Sequence, residues 1–200
     1  DIGGRVVQYS RSGVNALLEN PDSNGKTLAQ FPGGFWVGGY QCDFGPGLLG
    51  APGRQAVWLG PHGFVAPRDQ TVETASPLDV VTGLRLLKSF TLDPDTGALG
   101  VMQRMVNASP YPTRHNLHDR TLCPAGGYVL LRLPKQSHHR AGWAVLRATE
   151  TGSAFDGEQP IAPNVRIFGD LLVAQAAGAP GKLGSDTDGG WVAYVRGRLL

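Results

Sequence analysis

Eight consecutive residues, Arg114-His115-Asn116-Leu117-His118-Asp119-Arg120-Thr121, form the densest set of side chains able to move protons or bind polar atoms. Read as a strand, the run places alternate residues on a shared face. Arg114, Asn116, His118 and Arg120 then point one way, and His115, Leu117, Asp119 and Thr121 the other. An inward face would not hold two arginines, a histidine and an asparagine without partners, so the first face lines either solvent or a polar cavity. Histidine titrates near neutrality, the range in which a general acid or base works.

Other candidates are scattered. His62 sits in Gly60-Pro61-His62-Gly63-Phe64, where glycine and proline make it a loop histidine, either exposed or functional. His138-His139 lies in a basic turn, and adjacent histidines on a turn rarely converge on one ion, so it reads as solvated. Asp43 follows a glycine-rich run and either faces a ligand or satisfies its own turn. Phe31, Phe35, Trp36, Tyr40, Phe44 and Trp58 either stack on sugar faces or plug one end of a sandwich. The chain lacks GxxxxGK[ST], HExxH, GxSxG and CxxC, and neither a metal nor a cofactor is expected.

The elements that must position these residues are extended. Glycine (29) and proline (15) exceed a fifth of the 200 residues, against about 12% in average usage, and they punctuate apolar runs. Strands are expected at 71–76, 80–91, 100–109, 114–123, 127–133, 141–149, 164–168, 171–177 and 190–195, after an opening hairpin turning at Arg11-Ser12-Gly13. Asp93-Pro94-Asp95-Thr96-Gly97 is the clearest turn between two of them. About eleven strands at this spacing, with no clear helix, mean an all-β sandwich or barrel. The stretch from Asn20 to Phe64 reads as a long, turn-rich loop region of the functional kind.

Charge excludes two classes of partner. With 18 basic and 16 acidic residues evenly spread, no nucleic-acid surface is expected. No apolar run reaches the 18 residues of a membrane-spanning helix. Cys42 and Cys123 allow at most one disulfide and leave the compartment open. The chain starts at Asp1 inside a strand-like run and ends on one at Leu200, so it reads as incomplete at both ends.

Several short motifs resemble the galactose mutarotase-like superfamily, which includes the aldose 1-epimerases. Asp1-Ile2-Gly3-Gly4-Arg5-Val6-Val7-Gln8-Tyr9-Ser10 with Gly13-Val14-Asn15-Ala16-Leu17 is similar to the opening of those proteins. Asn107-Ala108-Ser109-Pro110, followed by the strand that carries His118, is similar to the segment that precedes their catalytic histidine. Lys182-Leu183-Gly184 and Gly190-Trp191-Val192-Ala193-Tyr194 look like closing hairpins of its unassigned groups. The resemblance implies one large antiparallel β-sandwich, the mutarotase-like supersandwich, over residues 1–200, taking a small-molecule carbohydrate outside the cytoplasm, periplasmic or secreted. It implies His118 as the acid at the ring oxygen and His62 as a second, orienting histidine. Arg5, Trp36, Arg114, Asn116, Arg120 and Lys182 would bind substrate. The epimerase base is a late glutamate, and this chain has none after Glu158. Asp119 replaces it, or the base lies beyond Leu200, or there is no catalysis and the chain is a carbohydrate-binding module or a structural domain of a larger extracellular protein.

Overall fold

A computed structural model of the chain describes residues 2–27, 30, 37–45, 54–149, 152–156, 160–176 and 182–197. The expected all-β architecture is present: several antiparallel sheets, no barrel and very little helix among the described residues. The chain divides into two compact units, Asp1–Cys123 and Pro124–Leu200.

The first unit is built on a four-stranded meander of β4 (Gly63–Arg68), β5 (Thr71–Ala75), β6 (Leu84–Leu92) and β7 (Leu99–Asn107), numbering strands in chain order. β6 and β7 pair over their full length, from Leu84 opposite Asn107 to Leu92 opposite Leu99. The turn between them is the one the sequence announces: Asp93 Oδ1 accepts from the backbone N–H of Asp95 and Thr96, both at 2.9 Å, and Gly97 takes φ 73°. The opening hairpin also forms, as β1 (Ser10–Arg11) and β2 (Val14–Asn15), with Ser12 and Gly13 both left-handed as a two-residue turn requires.

β6 alternates cleanly: Leu84, Leu86, Lys88 and Phe90 are buried, while the residues between them face outward. Onto this inner face comes a two-stranded ribbon, β3 (Tyr40–Gly45) paired with β8 (Asn116–Thr121). Cys42 and Phe44 of β3 form one apolar cluster with Val57, Leu84, Leu86 and the half-buried Met105. Ribbon on sheet is the two-layer solution that lets each bury an apolar face. The opening segment ties to both layers. Val6 and Tyr40 exchange backbone hydrogen bonds, and Lys88 Nζ donates to the carbonyls of Gly3 and Gly4 at 2.8 and 3.2 Å. Gly39, at φ 72°, must be glycine there, because a Cβ would sit 2.2 Å from the Val6 carbonyl oxygen.

Two elements lie inside the stretch expected to be irregular. One is β3. The other is the helix α1 (Arg54–Leu59), closed by Gly60, whose N–H donates to the Ala56 carbonyl at 3.0 Å. Six residues are too few for a helical period to rise above the surrounding glycine and proline, so the expectation of no helix is corrected here.

The second unit contains a four-stranded sheet in the order β12 (Val165–Phe168), β13 (Leu171–Gln175), β9 (Tyr128–Arg132), β15 (Val192–Val195). A three-stranded sheet of β11 (Gly152–Asp156), β10 (Ala144–Thr149) and β14 (Lys182–Gly184) accompanies it. Trp143, Val165, Leu172 and Ala174 form its core.

His62, expected to be a loop histidine, is only 6% exposed, and its Nε2 donates to the Val57 carbonyl at 2.9 Å. Burial holds its pKa down to about 4, opposed by the Val57 bond and reinforced by the charge of Lys88. The unfolded chain takes up this proton near pH 6.5 and the folded one only near 4, so the associated stability is complete above 6.5 and lost as pH falls through 4. Urea unfolding at pH 7 and pH 4 should show the wild type losing about 3 kcal/mol more than His62→Gln over that interval. Equal losses in the two proteins would mean that His62 is not a buried neutral imidazole.

Candidate functional site

The register of the β3–β8 ribbon decides which polar side chains meet. Gln41 lies opposite Arg120, Asp43 opposite His118 and Gly45 opposite Asn116, all on one face. Tyr40, Cys42 and Phe44 share the other face with Thr121, Asp119 and Leu117. Directly opposed residues on one face stand close enough for their side chains to touch.

On the first face the central group is the Asp43 carboxylate, whose side chain is 5% exposed. Its Oδ2 lies 3.4 Å from Arg120 Nη2, and its Oδ1 lies 3.8 Å from His118 Nδ1. Arg120 Nη2 is also 3.3 Å from His118 Nδ1. Guanidinium has donors only, so in this contact Nδ1 accepts and the proton of the neutral imidazole resides on Nε2. The Arg120 guanidinium stacks over the Trp58 ring at 5.1 Å. Trp58 Nε1 donates to Gln41 Oε1 at 2.6 Å, and Gln41 Nε2 donates to the Gly38 carbonyl at 3.1 Å.

The cluster therefore runs from fully buried groups outward to His118, whose side chain is 41% exposed. Asp43 Oδ1 and Arg120 Nη1 are buried without hydrogen-bond partners among the described residues, an arrangement that purely structural clusters avoid. Chemically, it holds an accessible imidazole beside a guanidinium and a buried carboxylate, the elements of a general acid or base.

On the opposite face Cys42 and Phe44 are buried, while Leu117, Asp119 and Thr121 of β8 are exposed. Tyr40 donates to Asp119 Oδ2 at 3.2 Å and accepts from Gln103 Nε2, while the Cys42 thiol donates to Gln103 Oε1 at 2.7 Å. Burial pushes the Cys42 thiol up to about 11, and burial beside Asp119 raises Tyr40 as well, so both stay protonated at neutral pH. Cys42 and Cys123 are free thiols.

The alternation read along 114–121 thus brings together His118 and Arg120, with Asn116 on the same face. Asn116 is exposed, its Nδ2 donating to the Leu117 carbonyl at 3.3 Å. Arg114 is exposed just before β8. Asp119 faces away from His118, across the ribbon. His62 is held by Val57, and Arg5 donates to the carbonyls of Val37 and Ile2, its guanidinium pKa lowered by burial. Lys182 is exposed on β14 in the second unit, and Trp36 lies outside the described residues. The full set is therefore not gathered at one point within the first unit.

Asp43, Gln41 and Trp58 complete the cluster; Asp43 and Trp58 are each weighed from the sequence without being joined to His118, and Gln41 is not singled out. The signal existed: Tyr40-Gln41-Cys42-Asp43-Phe44 alternates apolar and polar as a strand does. Flanking glycines disguised it as a loop. Among the described residues no group of three or more His, Cys, Asp or Glu is placed to hold a metal ion. Compared with known proteins, the chain matches no family model, no curated protein and no solved structure.

If Asp43 and Arg120 form a coupled buried pair, Arg120→Met should cost about 3 kcal/mol in urea unfolding, because it strands a buried carboxylate. Asp43→Leu/Arg120→Met should recover most of that loss. Losses that simply add in the double variant would show that the two groups are not coupled.

Proposed function

We propose that the His118 face of the β3–β8 ribbon binds a small-molecule carbohydrate and acts at its anomeric carbon, in the manner of the aldose 1-epimerase-like proteins that the sequence resembles. The observation that supports it is the Asp43 carboxylate beside the half-exposed imidazole of His118. Opening a sugar ring requires a proton delivered to the ring oxygen and another removed from the anomeric hydroxyl; closure reverses both. His118, whose side chain is 41% exposed, supplies one of these transfers. Asp43 is too buried to touch a sugar and acts as a positioning residue, its charge favouring the imidazolium when His118 carries two protons. Arg114 and Asn116, both exposed beside His118 on the chain, bind hydroxyls.

A second reading rests on Arg120. While its guanidinium donates to His118 Nδ1, the imidazole is a neutral Nε2–H donor. Such a group holds a sugar oxygen without protonating it. The protein would then be a non-catalytic carbohydrate-binding module.

Proton NMR of freshly dissolved α-glucose and α-galactose separates the two. The enzymatic reading expects the anomeric signals to equilibrate faster with the protein than in buffer, and His118→Ala to abolish the acceleration while shifting stability by no more than about 0.5 kcal/mol. Absence of acceleration, with sugar-induced shifts in protein signals lost in His118→Ala, would establish the binding module. Neither acceleration nor shifts across a sugar panel would remove both.

A further inference from the structure

The outer face of the four-stranded sheet carries a feature built from none of the residues of the His118 cluster. Two rows of side chains project there, opposite in direction to Lys88. Gly63, Ala75, Leu87 and Arg104 form one, and Val65, Glu73, Ser89 and Met102 the next. The first row begins with no side chain and a single methyl and ends in long ones, so the sheet surface is hollowed over β4 and β5. The hollow measures about 610 Å³. That is within the range of small-molecule sites, roughly 300–1,000 Å³.

Its lining is apolar and left in water. Met102 is 69% exposed and Val65 45%. Clustered apolar side chains around a concavity, unlike scattered ones, mark a place where something binds. The charges indicate what. Arg104, beside Met102 on the edge strand β7, makes no hydrogen bond or ion pair among the described residues, and Arg85 projects from the same face of β6 one pair further along. Glu73 stands across β6 from Arg104, on β5 and one row along, roughly 12 Å away at ordinary strand spacing and rise. One end is therefore positive and forked, suited to a two-oxygen acid group, and the other end accepts a hydrogen bond.

We propose that this hollow is a binding site for an amphipathic organic anion: a flat apolar body of about naphthalene size whose carboxylate or sulfonate docks on Arg104. The body covers Met102, Val65 and Leu87, and a donor N–H or O–H on it reaches Glu73. The proposal does not depend on the chemistry of His118.

The test uses 8-anilinonaphthalene-1-sulfonate, which has such a body and an acid group, and its uncharged counterpart N-phenyl-1-naphthylamine, each titrated at pH 7 by fluorescence. The wild type should bind the sulfonate saturably, one to one. Arg104→Gln should weaken it about fivefold and leave the uncharged dye unchanged, as expected for loss of a charge-assisted contact. Gly63→Val fills the hollow at a position where a Cβ meets nothing nearer than 3.8 Å, and should weaken both dyes at least tenfold, roughly the effect of losing the cavity itself. Met102→Glu, at an exposed position, should do the same. Urea unfolding confirms that each variant keeps its fold. No saturable binding by the wild type, or binding indifferent to both Gly63→Val and Met102→Glu, overturns the site. Equal weakening of both dyes by Arg104→Gln overturns the anionic ligand.

Discussion

Strand β3 is buried on both faces, and that constraint organises the first unit. A strand in that position must find a partner for every polar side chain it carries, because water is excluded. On one side Cys42 and Phe44 meet Leu84 and Leu86 of the meander, while Cys42 donates to Gln103 and Tyr40 to Asp119. On the other, Gln41 is satisfied by Trp58 and Gly38, while Asp43 is left to Arg120 and His118. Local chemistry at His118 thus follows from the burial of its neighbour rather than from its own position.

The same layer forces other ionisable groups inside. Lys88 occupies an inward position of β6 and is 2% exposed, where burial lowers its pKa to about 8, opposed by the negative charge of Asp43. It holds the carbonyls of Gly3 and Gly4, so the start of the chain is bound to the sheet by an ammonium group with no carboxylate in direct contact. His62 lies close by against Gly4, kept neutral by the same dehydration. These groups cost stability that the apolar contacts of Phe44, Val57, Leu84 and Leu86 must offset.

Much of the secondary structure was legible in the sequence, for a physical reason. The strands after residue 70 alternate or are bounded by turn residues whose preferred dihedrals are the ones adopted. The Asp93–Gly97 turn and the Ser12-Gly13 turn are local decisions that fit their neighbours. Between Asn20 and Phe64 the local signals conflict. There Tyr40–Gly45 has a strand's alternation inside a glycine-rich frame, and Arg54–Leu59 is too short to show a helical period. Tertiary contacts settle both: β3 by pairing with β8, seventy and more residues away, and α1 by placing Val57 in the core.

The site divides along the same line. Alternation along 114–121 was enough to put Asn116, His118 and Arg120 on one face and Asp119 on the other, because strand geometry has a period of two whatever surrounds it. What stands opposite that face was beyond any local pattern. The register that sets Asp43 against His118 and Gln41 against Arg120 belongs to a pairing between distant segments, and a shift of one residue would have presented Cys42 instead. Sequence alone therefore determined the all-β class, the turns and the composition of the polar face. Only the tertiary structure decided its partners and its burial, since both depend on which segments exclude water together.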